Sequence, residues 1–234
     1  KSDKRPGDLA SIKKHHQIRL ITRNNASTYF LWKNQLMGFE YDLIKHFAKQ
    51  QKVSLKVLVA QDFKQMMEWL EQGQGDIISA GLIKTAEREK FSVDFTDPYL
   101  FVRELIVQRK DEQAITLLNE LHQRTFHVRK SSSYWNTLTV SQEKLSKLDI
   151  QFTIKLVPES METEEIIKHI VDGEYDLTLA DSHITDIEKS WHSNLQTSLA
   201  LTRKQGHRWI VRNNSKNLLA QLNKFIKKEY KQLY

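Results

Sequence analysis

The sequence contains no cysteine among its 234 residues. This absence excludes disulfides, thiolate metal ligands and a cysteine nucleophile, but it leaves the cellular compartment open. Glycine and proline are scarce, with seven and three residues. The chain has neither a G-x-x-x-x-G-K-[ST] phosphate loop nor a G-x-S-x-G nucleophile elbow, and no histidines have the H-E-x-x-H spacing. We therefore expect no cofactor, no metal and no catalytic residue.

Long apolar stretches are also missing, since no run approaches the roughly 18 residues of a transmembrane helix. A composition of 39% hydrophobic and 28% charged residues fits a globular chain of one large or two smaller units. The opening KSDKRPGDLASIKKHHQ is charged without an apolar segment after it, so no signal peptide is visible. We expect residues 1–16 to be a flexible lead-in, and if the protein is exported, the sequence begins after the cleavage site of its leader.

Positive charge is in excess, because 36 Lys and Arg against 29 Asp and Glu give a formal net charge of +7. Such an excess suits nucleic acid, an anionic membrane surface or an anionic wall polymer. The basic residues are scattered, however, apart from short clusters such as IKKHH near the start and IKKEYK near the end. Because no helix reads as a continuous basic stripe, we predict no nucleic-acid partner.

Two stretches of the chain alternate strand and helix patterns. The first third reads as β-α-β-α-β, with the segments IRLITRN, FEYDLIKHFAKQQK, LKVLVA, DFKQMMEWLEQG and DIISAGL. Residues 125–182 repeat the alternation, and the long extended segment VDFTDPYLFVRELIVQRK precedes them. HRWIVRN reads as a last strand, before an amphipathic closing helix. This alternation favours parallel sheets with right-handed crossovers.

Three groups of polar residues follow predicted strands, where open α/β sheets place ligands. They are Arg88, Ser131 to Ser133, and Asp181. Each has a simpler explanation: Arg88 can be a solvated turn residue, the serines can be helix N-caps, and Asp181 can cap a helix. We interpret Glu40 and Asp42 as charges at a helix start, and Glu159 as a loop residue.

Several motifs, in their order along the chain, resemble one family. GFEYDL, SAGLIKTAEREKFSVDFTDPY, KSSSYW and DLTLADS are similar to segments of the family 3 extracellular solute-binding proteins, which are periplasmic binders of polar amino acids. DGEYDLTLADS and TRNNASTYF are similar, more narrowly, to the solute-binding-like modules that precede the catalytic domain of lytic murein transglycosylases. The resemblance implies an α/β, two-lobed periplasmic-binding-protein-like fold of type II, each lobe a mixed sheet flanked by helices. Lobe 1 would be residues 17–100 plus 198–234, and lobe 2 residues 101–197, joined by a hinge.

The resemblance also implies a cleft between the lobes that binds a small zwitterion. Arg88 would hold a carboxylate with two hydrogen bonds, and Asp181 would accept from an ammonium. Backbone N–H groups and hydroxyls at a helix start would assist. The implied ligand-binding set is Arg88, Asp181, Ser132, Ser133, Tyr29, Ser79, Gly81 and Ser131. Members of the family usually have Gly where this chain has Ser131, and a Cβ there could crowd a ligand carboxylate.

We expect extracytoplasmic binding of an amino acid or a peptidoglycan-derived peptide, as the regulatory sensor module of a lytic transglycosylase. A stand-alone substrate-binding protein of a polar amino-acid ABC transporter is the alternative. A third, less favoured hypothesis is that the protein is an enzyme resembling cyclohexadienyl dehydratase. The implied partners are the small ligand and either a C-terminal transglycosylase domain or an ABC permease. We expect a monomer in the periplasm or associated with the outer membrane, peripheral to membrane or wall.

Overall fold

The computed structural model describes residues 3–25, 30–33 and 35–230. The chain divides into two compact units. Unit 1 comprises Lys1–Phe101 and Gly206–Tyr234, and unit 2 comprises Val102–Gln205. The sequence placed the return to the first lobe at residue 198. The structure places it at Gly206, because the strand Leu195–Ala200 pairs with a strand of unit 2.

The two units are built from seven α-helices and thirteen strands within the described residues. The helices are α1 (Leu9–His15), α2 (Phe39–Gln50), α3 (Phe63–Glu71), α4 (Ser133–Ser146), α5 (Thr163–Val171), α6 (Ser182–Lys189) and α7 (Lys216–Tyr230). The strands are β1 (Gln17–Thr22), β2 (Phe30–Trp32), β3 (Gln35–Met37), β4 (Ser54–Val59), β5 (Ile77–Ile83), β6 (Val93–Phe95), β7 (Leu100–Val102), β8 (Glu104–Arg109), β9 (Thr125–Val128), β10 (Thr153–Leu156), β11 (Thr178–Asp181), β12 (Leu195–Ala200) and β13 (Gln205–Arg212).

Unit 1 is organised around a mixed sheet in which β4, β1, β5, β13 and β6 follow one another. β1 runs parallel to β4 and β5, whereas β13 is antiparallel to β5 and β6. Residues 18–22 of β1 are all buried, as expected for a strand with helices on both faces. Trp209 of β13 is fully buried and packs with Phe47 of α2 and Phe225 of α7 in one apolar core. The sheet with flanking helices confirms the predicted fold class.

The described part of the opening segment is packed against the rest of unit 1, in contrast to the flexible lead-in expected from the sequence. Asp8 caps α1, because its Oδ1 accepts from Leu9 N at 2.8 Å, and the same oxygen accepts from Leu218 N of α7. Ile12 is 2% exposed and belongs to the core. Arg5 N donates to Gly73 O at 3.0 Å. A seven-residue helix with one buried side chain is too short for its hydrophobic periodicity to be recognised.

Unit 2 contains a parallel pair, β9 and β10, and an antiparallel sheet in the order β11, β8, β12. A bridge between Phe126 and Leu177 links the two in parallel orientation. The predicted order β-α-β-α-β is therefore present from β9 to β11, and the long extended segment contributes β8 to the antiparallel sheet. Helix α6 follows β11 directly.

Helix length and composition set one limit on membrane topology. Across residues 3–25, 30–33 and 35–230, no helix combines the length and apolar character needed to span a bilayer.

Candidate functional site

Arg88 lies just beyond the carboxyl end of β5, at the start of a 3₁₀ turn formed by Arg88–Lys90. The residue is 5% exposed. Its Nη1 donates to Ile83 O at 2.8 Å, its backbone N donates to Thr85 Oγ1 at 3.2 Å, and its Cζ lies 5.1 Å from the centre of the Phe63 ring. These contacts fix the guanidinium in one position, as an anion-binding arginine requires. The same contacts mean that Arg88 also stabilises the fold of unit 1.

Ser79 is fully buried in β5, and its hydroxyl is engaged by Glu40 of α2. Glu40 is 2% exposed, and its carboxylate also accepts from Tyr99 Oη at 2.6 Å and from Trp209 Nε1 at 3.4 Å. The Ser79 side chain therefore joins α2 to β5 and does not face solvent. Glu40, which the sequence suggested to be a simple helix-start charge, is the centre of a buried network.

Gly81 has a positive φ of 63° within β5. The pairing of β5 with β13 shifts register between Arg208 and Ile210, so the strand is irregular at this point. A Cβ on Gly81 would lie 3.4 Å from His207 Cε1, which leaves space, but the left-handed backbone conformation itself favours glycine. Gly81 thus accommodates the irregular end of β5, which leads into the segment that contains Arg88.

The candidate residues of unit 2 gather at one sheet edge. β9 and β10 are parallel in register, with Val128 opposite Leu156, so the loops that follow them leave the same edge. Ser131 comes after β9 and Glu159 after β10, and the Ser131 N donates to Glu159 Oε1 at 3.1 Å. The Ser131 hydroxyl donates to the other oxygen, Glu159 Oε2. A carboxylate of the chain itself is therefore bound where a ligand carboxylate was expected.

Ser132 is the N-cap of α4. Its Oγ accepts from Trp135 N at 3.3 Å and donates to Arg129 O at 2.7 Å, and the residue is 7% exposed. Ser133 is the first residue of the helix and is half-buried. Of Ser132 and Ser133, Ser132 therefore has the capping role, and Ser133 is the more accessible of the two.

Asp181 ends β11 and precedes α6, and it is 4% exposed. Asp181 occupies the N-cap position of α6, as the simpler explanation expected, but its side chain makes no capping hydrogen bond. Asp181 lies opposite Glu104 in the β11–β8 register. Glu104 is fully buried, and its Oε2 accepts from Thr137 Oγ1 at 2.8 Å. Two carboxylates are therefore neighbours at this edge of unit 2.

Tyr134 links this carboxylate pair to the start of α4. The Asp181 backbone N donates to Tyr134 Oη at 3.1 Å. Burial raises the pKa of the Tyr134 hydroxyl well above its usual range, and the charges of Asp181 and Glu104 raise that pKa further. The phenol accordingly keeps its proton at neutral pH and remains a hydrogen-bond donor.

The predicted set is thus divided between the two units. Arg88, Ser79 and Gly81 belong to unit 1, and Asp181 and the three serines to unit 2; Tyr29 lies outside the described residues. Sequence reasoning assigned no site role to Glu40, Glu104 or Glu159. A usable signal existed for Glu104, since an acidic residue directly before the apolar run LIV of a strand is unusual. Glu159 gave no such signal, because its partner is 28 positions away.

Comparison with known proteins defines the class. Residues 18–232 match the model of the bacterial extracellular solute-binding proteins, family 3. The match covers nearly the whole chain, so the protein belongs to this family.

Similar curated proteins carry one name. The chain is 32% identical over 217 residues to the membrane-bound lytic murein transglycosylase F of Desulfosudis oleivorans, covering 93% of this chain and 46% of that protein. It is 28% identical over 228 residues to the protein of that name from Pseudomonas putida, covering 97% and 46%. The chain thus spans about half the length of the curated relatives it matches.

Solved structures of similar fold include amino-acid-binding proteins. An ancestral amino acid-binding protein, a precursor of cyclohexadienyl dehydratase, matches with a TM-score of 0.78 at 23% identity, over 95% of this chain and 93% of that one. The arginine-bound form of truncated ArgBP from T. maritima matches with a TM-score of 0.77 at 23% identity, over 94% and 100%. At this level of identity the likeness establishes the shared fold.

Proposed function

We propose that the protein binds a small zwitterion, an amino acid or a peptidoglycan-derived peptide, in the bacterial cell envelope. The observation that carries the proposal is the buried guanidinium of Arg88, held by Ile83 O at the carboxyl end of β5 in a member of a solute-binding family. A guanidinium held in place can form two parallel hydrogen bonds with a carboxylate, and little side-chain entropy is lost on binding.

The acidic side chains of unit 2 are suited to binding the ammonium group of such a ligand. Asp181 and Glu104 are adjacent carboxylates, and Glu159 adds a third on the Ser131 N–H. An ammonium group is stabilised near such carboxylates, whereas a carboxylate is repelled. We therefore assign the ligand ammonium to Asp181 and the ligand carboxylate to Arg88, without a carboxylate contact at Ser131 or Ser132. Ser133, the half-buried first residue of α4, remains the hydroxyl we assign to ligand contact.

The role we propose for this binding is that of a regulatory sensor in a lytic murein transglycosylase. Support comes from the relatives named transglycosylase F, of which the chain spans 46%. A C-terminal transglycosylase domain would then be the partner that responds to the ligand. Catalysis would belong to that domain, and this chain would contribute recognition.

A substrate-binding component of an amino-acid ABC transporter is the second candidate. It is favoured by the fold shared with the substrate-binding protein of an amino acid ABC transporter, at a TM-score of 0.75 and 22% identity. A permease would be the partner in that case. The two candidates differ in the ligand they predict, since free amino acids suit the transporter and wall peptides suit the sensor.

A thermal-shift and calorimetric screen against the common amino acids and short muropeptides tests the proposal. A ligand at 100 times its dissociation constant stabilises the native state by about 2.7 kcal/mol, enough for a clear rise in Tm. We expect Arg88→Lys to weaken binding by roughly tenfold or more, because an ammonium cannot form the paired bonds of a guanidinium. We expect Arg88→Ala to abolish it.

The matched control is Lys90→Ala, which removes an exposed cation from the same 3₁₀ turn and should bind normally. Since Arg88 also bonds Ile83 O, Arg88→Ala should lower the Tm of the ligand-free protein as well, so affinities are compared at a temperature where both variants are folded. Unchanged affinity in Arg88→Lys would exclude the carboxylate contact. Binding of des-amino analogues as tightly as the parent ligands would exclude the ammonium contact at Asp181.

A further inference from the structure

The carboxyl-terminal ends of three helices of unit 1 are rich in lysine and lie close together. Lys13 Nζ, in the last turn of α1, donates to Gln51 O just after α2. Glu229 of α7 lies 3.5 Å from His46 Nε2 of α2 and accepts from Gln50 Nε2 at 3.4 Å. The carboxyl-terminal parts of α1, α2 and α7 are therefore neighbours on one surface.

This surface, called the basic face, carries eight exposed lysines, Lys13, Lys14, Lys45, Lys49, Lys52, Lys224, Lys227 and Lys228. Residues 9–16, 45–52 and 224–230 include a single acidic residue, Glu229. Eight lysines less one glutamate give 8 − 1 = +7, which equals the formal net charge of the whole chain. The rest of the sequence balances, with 36 − 8 = 28 basic and 29 − 1 = 28 acidic residues. The net charge is therefore concentrated on this face.

Helix dipoles explain part of the arrangement. Lysine in the last turn of a helix interacts favourably with the partial negative charge there, which accounts for Lys13, Lys14, Lys49, Lys227 and Lys228. The other three lysines lie a turn earlier or beyond the helix end, where this effect has faded. Clustered cations repel one another, so the concentration of charge has a cost for folding that an external anion would offset.

We propose that the basic face binds an anionic phospholipid surface. Lysines are flexible point charges, and they suit a diffuse layer of headgroups better than a geometrically defined phosphate site, for which arginine forks are typical. At the surface of an anionic bilayer each lysine strengthens binding by about fivefold, within a Debye length. Eight lysines on one face thus suffice for reversible membrane association without an inserted segment.

The basic face is separated from the candidate ligand-binding residues of unit 1. Helix α2 has Glu40, hydrogen-bonded to Ser79, in its first turn and the basic face at its other end. Its twelve residues span about 18 Å. Substitution of the lysines should therefore leave ligand binding intact, so this proposal and the proposed function can fail separately.

Vesicle sedimentation tests the proposal. The face variant combines Lys14→Gln, Lys49→Gln, Lys227→Gln and Lys228→Gln, and the matched control combines Lys64→Gln, Lys110→Gln, Lys144→Gln and Lys189→Gln, all exposed in the structure. Both variants lose four positive charges. With vesicles of phosphatidylcholine containing about 30 mol% phosphatidylglycerol, we expect the face variant to bind at least ~30-fold more weakly than the wild type, and the control to bind within ~3-fold of it.

Circular dichroism and urea unfolding establish that both variants are folded before binding is compared. Binding that survives on pure phosphatidylcholine, or that persists in about 0.5 M salt, would overturn the electrostatic assignment. Equal losses in the two variants would show that net charge alone matters and would overturn the assignment to this face. The wild type could instead bind soluble inorganic polyphosphate more tightly than the face variant does and fail to bind anionic vesicles. That result would identify an anionic polymer as the partner and overturn the membrane assignment.

Discussion

At the scale of single residues, carboxylates in unit 2 are placed under unusual electrostatic conditions. Glu164 lies in the first turn of α5, and burial, together with the charges of Glu162 and Glu188, raises its pKa to about 7. Arg129 opposes the shift. Burial likewise raises the pKa of Glu188, against the lowering effect of His192. Protonation of Glu164 therefore occurs near neutral pH and affects the stability of the fold.

Glu164 should contribute stability that declines as the pH rises from about 4.5, its unfolded pKa, to about 7, its folded pKa. The folded state holds this proton up to about pH 7, whereas the unfolded chain releases it near 4.5. The stabilisation is thus fully present below the unfolded pKa and is lost above the folded one. We expect Glu164→Gln to be more stable than the wild type at pH 8, on the order of 2 kcal/mol, and about equal at pH 4.5. Urea unfolding at both pH values measures the difference.

The control for this measurement is Glu165→Gln, which changes an exposed carboxylate next in the chain. Its effect should be small and the same at both pH values. A Glu164→Gln variant whose stability relative to the wild type does not change with pH would show that this carboxyl titrates normally.

Residue roles were proposed from the sequence only where a motif suggested them. The resemblance to solute-binding proteins drew attention to Arg88 and Asp181, and their roles stay proposals. Glu40 and Glu159 act through partners distant in sequence, such as Tyr99 for Glu40. Such pairings depend on tertiary contacts, and a single sequence does not reveal them. Ser79 shows the converse, since it was assigned to the ligand-binding set from within the predicted strand DIISAGL, yet its hydroxyl is buried.

At the scale of elements, the alternation of strand and helix was predicted correctly because the helical period is clear and the strand segments between the helices are short. Helix α2 has Ile44, Phe47 and Ala48 on its buried face, and β1 is a short strand that is buried along residues 18–22. Short elements were missed instead. The seven-residue α1 and the hairpin of β2 and β3 offer too few residues for a periodic pattern to emerge.

Helix α1 provides a direct test of the packed opening segment. Ile12→Ala removes a side chain that is 2% exposed in the core of unit 1. We expect the free energy of unfolding to fall by about 2–4 kcal/mol, the range for buried aliphatic truncations. Lys14→Ala, on the exposed face of the same helix, should change it by less than ~0.5 kcal/mol. Equal, negligible effects of the two substitutions in urea would mean that the segment is flexible in solution after all.

At the scale of the whole molecule, each unit has its own apolar interior. The cores formed around Phe47 and around Met66 contain only residues of unit 1. The cores around Phe126 and around Ile167 contain only residues of unit 2. The repeated strand–helix order and the family resemblance predicted two units. They could not fix where the chain returns to unit 1, because that depends on how β12 pairs.

Unit 2 is a continuous segment, Val102–Gln205, and should fold by itself. Since its core needs no residue of unit 1, we expect the isolated segment to show a cooperative urea transition and a mixed α/β circular dichroism spectrum. Phe126→Ala, which truncates a fully buried core residue, should abolish the transition, and exposed Leu148→Ala should preserve it. A gradual, non-cooperative loss of signal in the unmodified segment would mean that the unit depends on the remainder of the chain.

The buried carboxylate of Glu40 has a consequence for how this sequence can vary. It holds Ser79, Tyr99 and Trp209, which come from three different strands or loops. Loss of the carboxylate leaves buried donors without an acceptor, and loss of any donor leaves part of a buried charge uncompensated. Tolerated changes at these four positions must therefore arise together. Among homologues they should covary as a group, and a library that randomises only one of them should return mostly the native residue.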